Sequence, residues 1–324
     1  SIVDQTSGAI ELKASVLDLN MADVHSIVWL DSNANELGVG PTLTLDPMAL
    51  SAGTNTILVK VNETNTNEAY SNAIEKVFWV VDSLPLLTDS DTDGDGISDI
   101  AEGYADQDGD GIPDFKDATQ STNELPVSGG IRKLQAPVGI QLSLGTIVQQ
   151  KAGGLANSAS LTQEELIAMY GVLAMDEDYS TALPLIDFVA SGLNQQGGSV
   201  TLIIALAEGN VLPENAGYRK FNAITGWRDF VSDAANSIAS ALTDAQGNCP
   251  SFDSGLYVEG LTAGDQCIAL TIQDGSANDD DAMANAIVTD PGAIVVELPN
   301  LPAQIIVSGN ESVNEGGVLT LDAS

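Results

Sequence analysis

Two back-to-back repeats of closely spaced acidic residues and glycines, between Asp89 and Asp117, constrain this chain more than any other feature of its sequence. In the first repeat, carboxylates stand at positions 1, 3, 5, 9 and 12 of a twelve-residue stretch, with a glycine at position 6: Asp91, Asp93, Asp95, Asp99, Glu102 and Gly96. The second repeat has the same positions filled by Asp106, Asp108, Asp110, Asp114, Asp117 and Gly111. A solvated acidic linker is the alternative interpretation of such a charged run. The paired glycines and the doubled register argue against it.

The spacing of these residues matches a twelve-position calcium-binding loop. Calcium takes about six to eight oxygen ligands, so a tightly curled loop points every second side chain inward and offers a main-chain carbonyl at position 7. That carbonyl belongs to Ile97 in the first loop and to Ile112 in the second. Glu102 is long enough to bind with both oxygens, whereas the shorter Asp117 predicts a weaker second site. We therefore expect two calcium ions.

Only residues 103–105 separate the two loops, which leaves no room for the flanking helices of a calcium sensor. A structural ion is favoured, because a sensor needs helices that reorient. The tandem pattern resembles thrombospondin type 3 repeats. This resemblance implies a loop-rich segment over residues 83–120 that folds around its ions and joins two β domains.

Residues 1–82 alternate apolar and polar side chains in short runs divided by turn residues, which predicts a β-sandwich. Ala73–Val81 would be its last strand and Trp29 a core residue. The stretch from Leu17 to Trp29 resembles the start of PKD-like and cadherin-like tandem domains of bacteria. His25, the only histidine, stands at a loop-to-strand junction with no nucleophile nearby in sequence, so we expect it to be structural.

Residues 125–298 also read as mainly β, with one helix predicted to begin at a capping box in which Ser160 is answered by Gln163. Residues 299–324 look like the first strands of a further PKD-like or Ig-like domain that stops before it could close. The expected fold class is therefore mainly β, with tandem β-sandwich domains joined by a loop-rich calcium-binding segment.

Several short motifs in the larger region occur in an order that resembles the choice-of-anchor U domain of bacterial surface proteins. They are Gly197–Val200, Leu212–Pro213, Tyr218–Phe221, Gly226–Phe230, Cys249–Pro250, Gly260–Cys267, Leu270–Gly275 and Asp290–Gly292. The resemblance implies an exported β domain with Cys249 and Cys267 bridged and no enzymatic activity to carry over. Taken alone, the two cysteines fit either one disulfide or two unconnected buried thiols, and the acidic, export-like composition favours the disulfide.

Two further groups of residues are candidate sites. An oxygen-rich cluster, formed by Asp274, Asn278, Asp279, Asp280 and Asp281, is either a third calcium site or a simple Asp-rich turn. The family pattern has a second glycine here that this sequence lacks. Arg219, Trp227 and Arg228 could bind an anionic or sugar ligand through charge and stacking, or the arginines could pair internally with carboxylates.

The net charge of −36 repels nucleic acid and anionic membranes and makes cations the natural partners. We expect a calcium-binding, non-catalytic structural segment of a secreted or bacterial cell-surface protein of the adhesin type. Its partners would be neighbouring domains of a longer chain or other surface and matrix proteins. A calcium-dependent glycan-binding module is the alternative. With one histidine and no nucleophile motif, the sequence offers few residues that could catalyse a reaction.

Overall fold

A computed structural model of the chain describes residues 2–16, 23–64, 71–128, 131–151 and 156–299. These residues contain twenty strands: β1 (Ile2–Asp4), β2 (Ile10–Lys13), β3 (His25–Asp31), β4 (Glu36–Val39), β5 (Thr42–Leu45), β6 (Gly53–Glu63), β7 (Ser71–Val81), β8 (Glu124–Pro126), β9 (Ile131–Gln135), β10 (Gln141–Leu144), β11 (Ser160–Leu161), β12 (Tyr179–Thr181), β13 (Leu185–Ser191), β14 (Ser199–Leu206), β15 (Ala216–Asn222), β16 (Gly226–Asp229), β17 (Ser237–Ala241), β18 (Val258–Glu259), β19 (Cys267–Gln273) and β20 (Ile287–Glu297). The α-helices are α1 (Asp99–Glu102), α2 (Thr146–Gln149) and α3 (Gln163–Tyr170). Short 3-10 helices cover Pro47–Ala49, Asp114–Lys116, Gly171–Ala174 and Phe252–Ser254.

The N-terminal strands form a β-sandwich, as the alternating sequence predicts. Its larger sheet has the order β1-β7-β6-β3-β4, in which β1 runs parallel to β7, and β2 and β5 form the second sheet. Apolar side chains from both sheets meet between them, among them Trp29, Leu43 and Phe78. Trp29 is only 3% exposed, and its indole N–H donates to the carbonyl of Gly40 at 2.8 Å, so the predicted core residue is confirmed.

The larger region is a second sandwich of two bigger sheets. One sheet has the order β10-β13-β20-β15-β16, with β11 also paired to β13 and β12 to β20. The other sheet has the order β18-β17-β19-β14-β9-β8. Fully buried residues of both sheets, such as Phe188 in the first and Leu270 in the second, share one apolar cluster. The fold is mainly β and belongs to the β-sandwich class.

The acidic segment packs against both sandwiches. Ile112 and Phe115 from the second loop belong to the same apolar cluster as Trp79 of β7 and Leu144 of β10. A sequence pattern cannot reveal this contact, because it depends on side chains far apart in the chain. The second loop is therefore part of the packed interior between β7 and β10.

The predicted helix is present, but its N-cap lies two residues later than the sequence predicts. The capping box uses Thr162 and Glu165, not Ser160 and Gln163. Ser160 is instead in β11, where it pairs with Ile186 of β13. Both serine and threonine are good N-caps, so local preference could not decide between the two positions, and pairing with β13 did.

The predicted disulfide is present, joining Cys249 to Cys267 with the two Cα atoms 5.5 Å apart. Among the described helices, none is long and apolar enough to cross a membrane. Part of the stretch that resembles PKD-like domains, residues 17–22, and the predicted further domain at 299–324, apart from residue 299, lie outside the described residues.

Candidate metal centres

The first acidic loop curls around its own carboxylates. Oxygens of Asp91, Asp93 and Asp95 lie within 4.8 Å of one another. Asp91 accepts main-chain hydrogen bonds from Gly94 at 2.7 Å and Gly96 at 3.1 Å. The carboxylates of Asp93 and Asp95 also accept main-chain hydrogen bonds within the loop, so all three acidic side chains help to hold the turn. The loop is largely exposed.

The second loop repeats the hydrogen-bond geometry of the first over positions 1 to 7. Oxygens of Asp106, Asp108 and Asp110 again lie within 4.8 Å of one another. Asp106 accepts from Gly109 at 2.6 Å and Gly111 at 3.3 Å, as Asp91 does from the equivalent glycines. Two stretches with one sequence pattern thus form the same turn over their first seven positions, as the doubled register predicts.

The second loop differs from the first in being buried. The Trp79 indole N–H donates to the Gly111 carbonyl at 2.8 Å. The main-chain N–H of Leu144 donates to the Asp110 carbonyl at 2.8 Å, and the Gln141 side chain donates to the Gly109 carbonyl at 3.0 Å. Strands β7 and β10 therefore hold this loop from two sides.

Five buried carboxylate oxygens in the two loops have no hydrogen-bond partner among the described residues. They are Asp93 Oδ2, Glu102 Oε2, Asp108 Oδ2, Asp110 Oδ2 and Asp117 Oδ2. They come from loop positions 3 and 12 in the first loop and positions 3, 5 and 12 in the second. A buried carboxylate oxygen without a donor is costly. A cation at the centre of each loop would supply the missing partner.

Burial and neighbouring like charges also raise the pKa values of two of these carboxyl groups. Burial, together with nearby Asp93 and Asp95, raises the pKa of Glu102 to about 7. Burial, and then the charges of Asp108, Asp106 and Asp114, raises the pKa of Asp117 to about 8. The residue at position 12 of each loop thus lies among the first carboxylates of its own loop, where a calcium ligand belongs.

In both loops, the carboxylate at position 9 accepts hydrogen bonds from the residue at position 2. Asp99 Oδ1 accepts from the main chain of Thr92 at 2.9 Å, and Asp99 Oδ2 accepts from the Thr92 hydroxyl. Asp114 Oδ1 likewise accepts from the Gln107 main chain at 2.7 Å. These two carboxylates brace the start of each loop. The N–H groups of Ile97 and Ile112 donate to the position 5 carboxylates of Asp95 and Asp110 at 2.7 and 2.6 Å.

The oxygen-rich cluster between β19 and β20 is differently organised. Asp274 accepts from the main chain of Gly197 at 2.7 Å and of Ala286 at 2.8 Å. Asp279 accepts from Gly275 at 2.8 Å and from Thr289 at 2.9 Å. These carboxylates fasten the loop to its surroundings.

The other cluster members are also engaged. The Asn278 side chain pairs with both main-chain groups of Val231, and Asp281 accepts from Met283 and Asn285. Among the described residues, acidic groups converge in a way that could hold a metal only in the two loops of 89–117. The geometry of this cluster therefore favours the Asp-rich turn over the third calcium site.

Arg219, Trp227 and Arg228 have partners within the chain. Arg219 forms ion pairs with Asp176 at 2.9 Å and Asp229 at 2.7 Å, and its guanidinium lies 4.5 Å from the centre of the Tyr179 ring. The Trp227 indole donates to the Ala174 carbonyl at 2.9 Å, and Arg228 pairs with Asp280 at 3.3 Å. This matches the internal-pairing alternative, and Arg219 Nε contacts Asp176 as an ion pair without forming a hydrogen bond among the described residues.

Two buried carboxyl groups that the sequence did not mark lie where β7 packs against β10 and β13. One oxygen of each residue, Glu75 Oε1 and Asp187 Oδ1, has no hydrogen-bond partner among the described residues, whereas Asp187 Oδ2 accepts from the main chain of Val148 at 2.8 Å. Burial, and then the charges of Asp187 and Asp281, raises the pKa of Glu75 to about 7. Burial likewise raises the pKa of Asp187 to about 7. An acidic residue in an alternating strand does not reveal which face it takes, so no signal in the sequence identified them.

Glu75→Gln is expected to raise the free energy of unfolding by about 3 kcal/mol at pH 8, and by less than about 1 kcal/mol at pH 5. Between its unfolded pKa of 4.5 and its folded value of about 7, folding takes up a proton at Glu75, so the native state loses stability as pH rises. Glutamine keeps the uncharged form at every pH. Urea denaturation at both pH values measures the difference, with the exposed Glu36→Gln as control. An equal effect at pH 5 and pH 8 contradicts the prediction.

Comparison with known proteins does not assign the chain to a family. No protein-family model matches it, and neither does any curated protein. The resemblances to thrombospondin type 3 repeats, to choice-of-anchor U domains and to PKD-like domains stay predictions from sequence motifs.

Proposed function

We propose that this chain is a calcium-binding, non-catalytic structural segment of an extracellular bacterial surface or matrix protein. The observation that carries the proposal is the set of five buried, unpartnered carboxylate oxygens in two loops of one geometry. Calcium prefers sites on flexible loops in which every ligand atom is an oxygen. Two divalent ions would cancel four of the ten negative charges that eleven carboxylates and one lysine give the segment.

The two ions would have different effects on the molecule. An ion in the first loop would rigidify an exposed turn. An ion in the second would stabilise a loop that β7 and β10 hold between them through Trp79 and Leu144. The second ion would therefore strengthen the contact between the two sandwiches, which suits a structural protein more than a sensor.

An extracellular location is supported by the disulfide and by the strongly acidic composition. Disulfides persist in oxidising compartments and are rare in the cytosol. The adhesin-type role rests on the sequence motifs together with this chemistry.

Calcium titrated into the chelator-treated chain is expected to bind at two sites and to raise the melting temperature. A free calcium concentration of 100 to 1,000 times Kd would raise the free energy of unfolding by about 2.7 to 4.1 kcal/mol per site. Isothermal titration calorimetry counts the sites and differential scanning calorimetry measures the stabilisation. Absence of both heat and stabilisation would overturn the proposal.

Calcium titration of variants that lack carboxylates in one loop shows which loop holds each site. Asp93→Asn with Glu102→Gln should remove one site, and Asp108→Asn with Asp110→Asn the other. Because neutralisation also relieves repulsion, the second pair should stabilise the calcium-free chain while losing the gain from calcium. Asp89→Asn, an exposed aspartate outside both twelve-residue loops, is the matched control and should keep both sites.

A further inference from the structure

A lysine, an aspartate and a tyrosine meet inside the larger sandwich. Lys220 on β15 and Asp290 on β20 are both fully buried, and Tyr218 is 6% exposed. Lys220 Nζ contacts Asp290 Oδ1, and the Tyr218 hydroxyl donates to the other oxygen, Asp290 Oδ2, at 3.0 Å. None of the three is a residue of the acidic loops or of the cluster between β19 and β20.

The sheet register places these groups on one face. Lys220 lies opposite Gly292, and Asp290 lies opposite Phe188 on the neighbouring strand. Directly opposed residues of antiparallel strands share a face, and so do residues two apart along one strand. Gly292 makes room for the cluster, because a Cβ at that position would collide with the Tyr218 hydroxyl. The three polar groups are thus enclosed by apolar neighbours such as Phe188, which is 0% exposed.

The hydrogen bonds available do not suit an ion pair. A lysine ammonium has three N–H donors, and the described residues offer it one acceptor, an oxygen of Asp290. Burial lowers the pKa of Lys220 and raises the pKa of Asp290, which shifts both groups towards their uncharged forms. A neutral amine is a nucleophile, and a protonated carboxyl group is an electrophile that can lose water.

We propose that Lys220 Nζ and Asp290 Cγ join in an intramolecular amide bond, so that the chain crosslinks itself between β15 and β20. The amine nitrogen attacks Cγ, and a new N–C bond forms. The C–Oδ1 bond breaks, and Oδ1 leaves as water with one proton from the amine and the proton of the carboxylic acid. No oxidant, reductant or co-reactant is needed.

The geometry supports each part of this step. Nζ and the carboxyl group are already in contact, and groups held this way react as if at effective concentrations of about 10⁵ to 10⁸ M. The Tyr218 hydroxyl donates to Oδ2, the oxygen that stays as the amide carbonyl, and stabilises charge that develops on it. The resulting amide has one N–H donor in place of the several N–H groups of an amine, which leaves fewer buried donors without a partner.

The bond would tie together strands in the middle of the sheet. β20 lies between β13 and β15, and the two joined residues are 70 positions apart in sequence. Cys249 and Cys267 lie within that interval, so the disulfide would close a smaller loop inside the larger one. A chain crosslinked twice in this way would resist unfolding under load. The crosslink is independent of the calcium proposal, and its test needs no calcium.

Intact mass spectrometry of the full chain, reduced and denatured, tests the proposal. The mass is expected to be lower than the mass calculated from the sequence by one water molecule. Lys220→Met and Asp290→Ala should each have their full calculated mass. A full mass for the unaltered chain overturns the proposal, and so does loss of water that persists in either variant.

Tryptic digestion of the unaltered chain locates the bond even where a variant does not fold. Arg228 is the last basic residue of the sequence, so trypsin leaves residues 229–324 uncut. With the amide bond, residues 220–228 stay attached to residues 229–324 after reduction, and cleavage after Lys220 is lost. Separate fragments, with cleavage after Lys220, would overturn the proposal.

Discussion

Replacing Trp79 by alanine is expected to lower the free energy of unfolding by about 3 to 5 kcal/mol and to weaken calcium binding at the second loop strongly. The Trp79 side chain is 3% exposed and belongs to the apolar cluster that the second loop shares with the larger sandwich. Its indole N–H also donates a hydrogen bond to the Gly111 carbonyl at 2.8 Å. Alanine would leave a cavity beside the loop and a buried carbonyl without its donor. Urea denaturation with calcium present and calorimetric titration below the melting transition measure the two effects.

Trp29→Ala provides a closely matched comparison. Trp29 is also 3% exposed, and its indole N–H also donates to a glycine carbonyl, that of Gly40, at 2.8 Å. It lies in the separate core of the N-terminal sandwich, away from the acidic loops. We expect a similar loss of stability with both calcium sites retained. If the two variants bind calcium alike, the second loop does not depend on its contact with β7.

Much of the fold could be predicted because alternation of apolar and polar residues is a local property. Ala73–Val81, predicted as the last strand of the N-terminal sandwich, lies within β7 and ends at the same residue. The start of β20, at Ile287, is harder to predict from the sequence. Pro291 and Gly292 lie inside it, and proline and glycine ordinarily mark a break in a strand. Pairing with β13 and β15 on both sides overrides that local preference.

The acidic loops could be predicted because all the groups that define them lie within a few residues of each other. What the sequence could not show was that the second loop is buried against Trp79 and Leu144 while the first is exposed. The contact of Lys220 with Asp290 was equally hidden, because a strand pattern does not say which buried residues meet across a sheet. In the sequence, Lys220 stands out only as part of the Tyr218–Phe221 motif.

Gly111→Ala is expected to destabilise the whole fold by about 2 to 4 kcal/mol, whereas Gly96→Ala should cost about 1 kcal/mol confined to its own loop. Both glycines occupy position 6 with a φ of 97°, in the left-handed region that a Cβ disfavours. The two positions differ in their surroundings. A Cβ at Gly111 would lie 3.2 Å from the Val77 side chain, whereas nothing lies within 4 Å of one at Gly96. Backbone strain is therefore expected in both alanine variants, whereas a steric clash with Val77 is expected only in Gly111→Ala.

Differential scanning calorimetry of both variants, with calcium and with chelator, separates the two contributions. Each alanine should weaken calcium binding in its own loop, because the curled turn that brings the carboxylates together requires that φ. In chelator, however, only Gly111→Ala should lower the main melting temperature, since Val77 must move whether or not an ion is bound. Equal melting temperatures for the two variants in chelator would mean that the second loop is not held between β7 and β10 when calcium is absent, and that the ion itself drives the packing.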